Sequence, residues 1–520
     1  MYHYFKASEI VILYLGLVLV ILSFIFFRKG KYSLSIITLT LGAFAARLFV
    51  ADLDHFLHLW DEALHALVAK NMITHPFTPM LYTDTSLPTH DTQYIGAHIW
   101  LHKPPLFLWL MAISLKIFGI NELGVRMPSI VMSALIAPII YRIGKLTVNE
   151  KTGYYSAFIF ALSSYSLEVA SGYINTDHND AAFIFFVSAT FWAWFEYNYS
   201  GNKKWIYVIG ILSGMAVLVK WLVGLLVYLP WLLAVIFNKE KRKSLACYKE
   251  IAISGIISFI IFIPWQIYIF TQFPVQAAFT NSTFSQHFSK AMEGHSGTAF
   301  FHVNLIGEQY GWIVPFILVL GLYLLFRKLR GNNTAKIVLI TWLLVPYIVF
   351  AVAKTKMPLM VLITSPVIFI ALGVLLSTIM DFILLKLKRN TGSIIAWALF
   401  LVIGFYNINL GKIQSEHTDA PGDKRFDFLQ YTFLADQFKK VDKQLPGNNY
   451  FIFNCCCFFP PSLMFYSGMT AYDGFPDKNA IELLKSNNRK IAVLPGGDIP
   501  DYIANDPDIV KIKFEQGPTQ

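Results

Sequence analysis

The residues best suited to chemistry lie in one polar stretch, 52–105, between two strongly apolar regions. It holds Asp52, Asp54, Asp61, Glu62, Asp84, Asp91, His102 and Lys103. It closes on Lys103-Pro104-Pro105 and turns apolar again at Leu106-Phe107-Leu108-Trp109-Leu110. Lipid cannot satisfy such a backbone or its charges, so the stretch is an extramembrane loop anchored by apolar side chains such as Trp60 and Trp100. Asp61 to Leu67 reads as the start of a short amphipathic helix near the interface. A carboxylate held there is placed to accept a proton from an incoming nucleophile, which makes Asp61 and Glu62 candidates. The plainer alternative is that these acids only solvate a loop.

A second polar group, Asn175-Thr176-Asp177-His178-Asn179-Asp180, interrupts two apolar runs with little room for a loop. His102, Asp177, His178 and Asp180 are types that bind Zn²⁺, Mg²⁺ or Mn²⁺, although their spacing is not a metal signature. Lys220 stands inside Val217-Leu218-Val219-Lys220-Trp221-Leu222, where a charge is costly. It is either functional or a snorkelling lysine at a tight turn. Lys354 and Lys356, before Met357-Pro358, repeat the pattern. Lys103, Lys220, Lys354 and Lys356, joined by Arg126, suit a phosphate held at headgroup depth.

The elements that must position these residues are membrane spans. Of 520 residues, 56% are hydrophobic and only 14% charged, with mean hydropathy +0.53. The chain is an α-helical polytopic membrane protein. Runs near 8–27, 33–50, 126–144, 154–173, 180–197, 205–219, 221–237, 251–270, 308–326, 335–353, 358–380 and 391–410 give about twelve spans. The first has no basic region before it and reads as a span that stays, not a cleaved leader. Residues 106–119 are shorter and read as an interfacial or re-entrant helix.

Basic clusters at Arg28 to Lys31, Arg142 to Lys151, Lys203-Lys204, Lys239 to Lys243, Arg327 to Arg330 and Lys386 to Arg389 all fall on one side. That side is cytoplasmic. The opposite side receives 52–105, the Asp177 loop, the Lys220 turn, 271–304, the Lys354 loop and the tail. The net charge of +10 follows from the cytoplasmic loops; scattered short clusters do not form a nucleic-acid surface. The tail, 411–520, has Gly, Asn, Asp and Pro turns between short apolar runs at 450–453, 490–494 and 509–512, with helical spacing at 480–485. It reads as a small extracytoplasmic α/β domain beside a transmembrane domain over 1–410. Cys247 stands alone, and the Cys455-Cys456-Cys457 run specifies neither a disulfide framework nor a metal motif.

Seven segments in order carry a resemblance. They are Asp61-Glu62-Ala63, His102-Lys103-Pro104-Pro105-Leu106, Phe118-Gly119-Ile120-Asn121-Glu122, Val125-Arg126-Met127-Pro128-Ser129, Asn175-Thr176-Asp177, Leu218-Val219-Lys220 and Lys354-Thr355-Lys356-Met357-Pro358. Together they resemble the GT-C class of membrane glycosyltransferases, in the branch that contains protein O-mannosyltransferases and the lipid A aminoarabinose transferase. The resemblance implies a GT-C fold, a loop aspartate (Asp61) as catalytic group, and basic residues (Lys103, Lys220) on the donor phosphate. It also implies a divalent metal near His102 and Asp177. The family's Glu-Lys-Pro-Pro appears here as His102-Lys103-Pro104-Pro105, which changes the charge of that site. The loop from Asp61 to His102 is longer than usual, and Met360 replaces a common aromatic residue.

The expected activity is transfer of a sugar from a polyprenyl-phosphate carrier to a lipid, glycan or protein acceptor at the outer face of the plasma (inner) membrane. The periplasm or exterior would hold the active site. Alternatives are a transporter or flippase for a lipid-linked saccharide, with acids paired near mid-membrane, or a ligase using pyrophosphate-linked donors. Topology gives a first test. In a cysteine-free background, Ser86→Cys is expected to react with an impermeant thiol reagent on intact cells, and Ser244→Cys only after permeabilisation. Labelling of both from outside would overturn the topology.

Overall fold

The computed structural model describes residues 5–89, 92–174, 177–420, 424–447, 449–456, 459–515 and 517. Asp91, Asn175, Thr176 and Cys457 lie outside the described residues. Long apolar runs become helices because a helix satisfies its internal backbone groups without water. In chain order they are α1 (Ala7–Arg28), α2 (Tyr32–Ala51), α3 (Asp61–Met72), α4 (Pro105–Phe118), α5 (Glu122–Thr147), α6 (Glu150–Ala161), α7 (Ser164–Ser171), α8 (Asn179–Ser200), α9 (Lys204–Lys220), α10 (Tyr228–Ile236), α11 (Leu245–Gln272) and α12 (Pro274–Ser289). There follow α13 (Phe301–Asn304), α14 (Ile306–Tyr310), α15 (Val314–Lys328), α16 (Asn333–Val352), α17 (Ser365–Lys386), α18 (Arg389–Ile408) and α19 (Leu410–His417). Asn121, Asn149 and Asn332 cap α5, α6 and α16, each side-chain oxygen accepting a backbone N–H three residues on.

Among the described residues, eight helical segments are long and apolar enough to cross a membrane. They become nine if α13–α14 and α15, bent by 94°, form one broken span. α6–α7, α8 and α10 are helical where the expected spans 154–173, 180–197 and 221–237 lie, but they are not among these eight or nine, so fewer than the about twelve expected crossings meet that measure among the described residues. α4 is too short to cross and matches the interfacial helix expected at 106–119. At one face, Arg142 pairs with Glu196 at 2.5 Å, Lys203 with Glu250 at 3.2 Å, and Lys151 with Asp381. These are the positions assigned to the cytoplasmic side. The acids and lysines of the candidate site gather at the other face.

The tail adds α20 (Arg425–Phe438), α21 (Val441–Gln444), α22 (Pro460–Ser467), α23 (Lys478–Ser486) and α24 (Asp501–Ala504). Its strands are β1 (Tyr450–Phe453), β2 (Thr470–Ala471), β3 (Lys490–Val493) and β4 (Ile509–Lys511). They form a four-stranded parallel sheet in the order β2-β1-β3-β4, with Phe451 beside Ile491 and Ile491 beside Ile509. Parallel strands need crossovers, and α22, α23 and α24 supply them. The two-residue β2 was not among the expected strands, since Thr470-Ala471 is too short to show a period.

The tail seats on the outer loop through paired groups. Lys439 Nζ reaches Glu122 at 2.7 Å and the His55 carbonyl at 2.9 Å. Tyr466 Oη donates to Glu122 at 2.7 Å, Lys70 Nζ donates to the Phe465 carbonyl at 2.6 Å, and Arg489 pairs with Asp84 at 2.6 Å. α3 is therefore held from above by the tail and from below by the spans.

Helices in lipid associate through close backbone approach at small residues. α17 lies against α6 so closely that a Cβ on Gly373 would stand 2.6 Å from the Ser156 backbone nitrogen. Gly373→Val is therefore expected to cost about 1–3 kcal/mol or more through overpacking. A lowered thermal transition in detergent would show it, and an unchanged one would contradict this packing.

Candidate active site

The site begins with two backbone exceptions. Trp60 and Trp221 have φ of 67° and 62°, a region that favours glycine. Non-glycine residues are held there only when the surrounding structure imposes it. Trp60 immediately precedes Asp61, the first residue of α3. Trp221 immediately follows Lys220, the last residue of α9. Each turn ends or starts a helix at the residue that carries the charge.

Around them five charged side chains form one alternating chain. Lys103 Nζ donates to Asp177 Oδ2 at 2.7 Å and stands 3.8 Å from Asp61 Oδ2. Lys220 Nζ lies 3.5 Å from the same Asp177 oxygen and 2.5 Å from Asp180 Oδ1. The two lysines, from sequence positions far apart, thus meet on one oxygen atom and lie within reach of one phosphate. Asp61 accepts a short hydrogen bond from Tyr94 Oη.

His65, one helical turn after Asp61, fills the space between the carboxylates. Its Nε2 is 4.0 Å from Asp61 and its Nδ1 3.9 Å from Asp177, and neither nitrogen has a hydrogen-bond partner. Burial drives this imidazole down to about 4, only partly opposed by Asp177 and Asp61. It is a neutral polar group at neutral pH. For Asp177 burial acts upward, but Lys103, Lys220 and His65 outweigh it and hold the carboxyl well below its usual range. Lys103 is depressed by burial, yet Asp177 and Asp61 raise it above the ordinary lysine value. Asp177 and Lys103 therefore hold each other in their charged forms.

Several predicted residues are elsewhere. Glu62 faces away from Asp61 into a buried network. It pairs with Arg126 Nε at 2.8 Å and His178 Nε2 at 3.0 Å, accepts the His58 backbone N–H at 2.7 Å and also meets the His58 ring. Arg126 is fully buried and spends its remaining donors on the carbonyls of Ala51, Asp54 and Phe56 at 2.6–2.8 Å. These two residues lock the start of the outer loop to α5, and the structure places neither Glu62 nor Arg126 with Asp61, Lys103 and Lys220. Lys356 Nζ donates to the carbonyls of Phe350 and Ala351 at 2.6 and 2.8 Å, capping the end of α16 rather than meeting a phosphate. Lys354 is exposed.

His102 packs among the rings of Tyr94, Trp100 and Phe279, with centroids 4.5, 5.5 and 5.9 Å away. Burial, helped by Lys103, lowers it to about 4. Asp177 Oδ2 is already shared by two ammonium groups. Among the described residues no set of three metal-ligating side chains includes His102 or Asp177. The residues present do not fit the metal expected there. A cavity of about 20 Å³ within the helices is lined by Ser133, Tyr165, Gln309 and neighbours. It has room for little more than a water, and Asp61, Lys103, Asp177 and Lys220 do not line it.

The sequence did not single out His65 or Tyr94. His65 carried one signal, its spacing of four from Asp61 on an expected helix. Tyr94 carried none, since the loop between it and α3 has no period.

A family model described as dolichyl-phosphate-mannose-protein mannosyltransferase matches residues 102–268. An undecaprenyl phosphate-alpha-4-amino-4-deoxy-L-arabinose arabinosyl transferase of Pseudomonas fluorescens is 25% identical over 320 residues, 59% of this chain and 53% of that protein. A second P. fluorescens transferase of the same description is 24% identical, over 62% and 56% of the two chains. The matched region thus spans about half the length of these relatives. The crystal structure of ArnT from Cupriavidus metallidurans bound to undecaprenyl phosphate superposes with a TM-score of 0.62 at 12% identity, covering 87% of this chain and 88% of that one. The archaeal oligosaccharyltransferase AglB of Archaeoglobus fulgidus, in complex with an inhibitory peptide and a dolichol-phosphate, gives 0.55 at 13% identity, over 87% and 69%. The fold is that of the GT-C membrane glycosyltransferases. The chain shares that fold with ArnT, and the matching family model covers less than half of it.

The Glu62 network yields two stability predictions. Glu62→Ala leaves Arg126 unpaired in the interior and is expected to cost about 3–5 kcal/mol. His58 is pushed down by burial but raised to about 8, against an ordinary 6.5, by Glu62 and Asp54. Because the folded value is the higher, its contribution is full below pH 6.5 and is lost as pH rises through about 8. Thermal unfolding in detergent should decline across that window, and His58→Gln should remove the decline. A wild-type transition flat over the same range would contradict the network's charge state.

Proposed function

We propose that this protein is a glycosyltransferase that moves a sugar from a polyprenyl-phosphate carrier to an acceptor at the outer face of the membrane. The observation that carries this reading is the meeting of Lys103 and Lys220 on one oxygen of Asp177, beside Asp61. The ArnT-like fold and the arabinosyl transferase relatives support the donor class.

In this mechanism Asp61 accepts the proton of the acceptor hydroxyl as its oxygen attacks the anomeric carbon. The new carbon–oxygen bond forms opposite the phosphate. The sugar–phosphate bond breaks, its electron pair leaves on the phosphate, and configuration inverts. Lys103 and Lys220 neutralise the growing phosphate charge, where preorganised cations lower a barrier most. Asp177 and Asp180 hold the two ammonium groups in place before the donor arrives, so little reorganisation accompanies reaction. Tyr94 orients Asp61 through its hydrogen bond. No step runs through a metal, because the residues around Asp177 supply lysines where a metal would sit.

Residues 1–410 carry this chemistry, with the outer loop 52–105 as its floor. Residues 411–520 form the extracytoplasmic α/β domain above. The transporter reading finds less support, since these paired charges lie at helix ends and not in mid-membrane.

The test uses purified protein with a polyprenyl-phosphate sugar and a lipid, glycan or peptide acceptor, following release of polyprenyl phosphate. Asp61→Asn should fold normally and lose about two orders of magnitude or more in turnover. Lys103→Ala and Lys220→Ala should weaken binding of polyprenyl phosphate and slow transfer together, because the phosphate is met in both ground and transition states. Lys243→Ala on the opposite face should do neither. Near-normal turnover by Asp61→Asn removes it from the mechanism, and movement of the lipid-linked sugar without transfer favours the flippase.

A further inference from the structure

Below the site, where α7 meets α19, lies a second cluster that the reaction does not use. Glu168 of α7 and Glu416 and His417 of α19 each present one ligand-type atom, all within 4.8 Å of one another. Glu168 and His417 are almost fully buried, at 0% and 1% exposure. His417 Nε2 has no hydrogen-bond partner, while Glu416 Oε2 lies 3.8 Å from Lys412 Nζ. A buried ring nitrogen is not left unsatisfied without cause. The other ring nitrogen of the histidine is engaged, with His417 Nδ1 2.7 Å from Asp54 Oδ2. Asp54 is a carboxylate acceptor, so Nδ1 donates to it and Nε2 is the ring nitrogen left for a ligand. A carboxylate behind an imidazole is the arrangement that orients a metal-bound histidine. The ring is fixed further by Tyr173, 4.3 Å between centroids.

We propose that Glu168, Glu416 and His417 bind a divalent cation of the zinc class, with Asp54 as the positioning residue behind His417. One imidazole nitrogen and two carboxylates suit zinc better than magnesium and leave a fourth position for water. Lys412 Nζ, 3.0 Å from Glu168 and 3.8 Å from Glu416, occupies the carboxylates here. Its side chain is 34% exposed, so it has a route to solvent when a cation arrives. The cation would clasp α7, part of the spans, to α19, the segment that leads into the tail. Its role is structural and is independent of the transfer reaction.

The test uses the full chain in detergent, stripped with a chelator and titrated with zinc alone and cobalt alone. Metal content, cobalt absorption and the thermal transition are read. Wild type should retain stoichiometric zinc and shift upward in its transition. Glu416→Gln, at the partly exposed ligand, should lose both responses while remaining folded. Asp54→Asn should bind about 10–100-fold more weakly, and Lys412→Met should bind more tightly because the competing cation is gone. The proposal is overturned if zinc produces no shift in wild type or if Glu416→Gln binds like wild type. It is also overturned if Lys412→Met loses stability without gaining affinity, which would make the lysine the permanent partner of both glutamates.

Discussion

One oxygen of Asp177 accepts from Lys103 and faces Lys220, and the outer half of the molecule depends on that meeting. An ammonium group at the edge of the hydrocarbon layer is costly unless it is paired. Here two such groups are brought from the end of the outer loop and the end of α9, and each finds an acid. Asp177 comes from the short connection before α8 and Asp180 from the first turn of α8. The consequence is electrostatic readiness. A site with two cations and three carboxylates is nearly balanced when empty. A phosphate can enter only by competing with Asp177 and Asp180 for the lysines, so an anion of low charge density gains little there.

The spans were legible because lipid demands long apolar runs and because basic clusters mark one face; both constraints act on sequence directly. The tail strands at 450–453, 490–493 and 509–511 were legible from short apolar runs between turns. The convergence of Asp61, Lys103, Asp177 and Lys220 was legible in part, through charges that had no reason to stand at span ends. The fates of Glu62, Arg126 and Lys356 were not. Adjacent acids look alike in sequence, but successive helical residues point about a quarter-turn or more apart. Asp61 therefore faces the lysines while Glu62 faces Arg126. Nor does a sequence say whether a lysine meets a ligand or, as Lys356 does, the carbonyls ending the helix before it. Those carbonyls are backbone groups, invisible to any motif. His102 illustrates a further limit. Its type fits a metal, but the ring neighbours that enclose it include Tyr94, from a loop with no period, and Phe279, far away in the chain.

The buried network under α3 explains why the Asp61 carboxylate can sit at the tip of a short helix without drifting. Glu62 ties α3 to Arg126 of α5 and to His178 beside α8. His58 passes the connection to Asp54, and Asp54 to His417 of α19. Every link is a buried polar contact that would be expensive to break alone. The helix that offers Asp61 is thus fixed to the spans and to the segment leading into the tail by one continuous chain of side chains. The tail adds a second hold through Lys70 and Tyr466, which grip α22 and Glu122. The positive φ of Trp60 belongs to the same logic. A strained turn persists only where its surroundings leave no alternative. Here the residues on both sides are pinned, His58 through its ring and backbone and Asp61 through Tyr94, so the strain is borne by the network rather than relaxed by the loop. The precision of the charged site follows from the rigidity of a layer that itself touches no substrate.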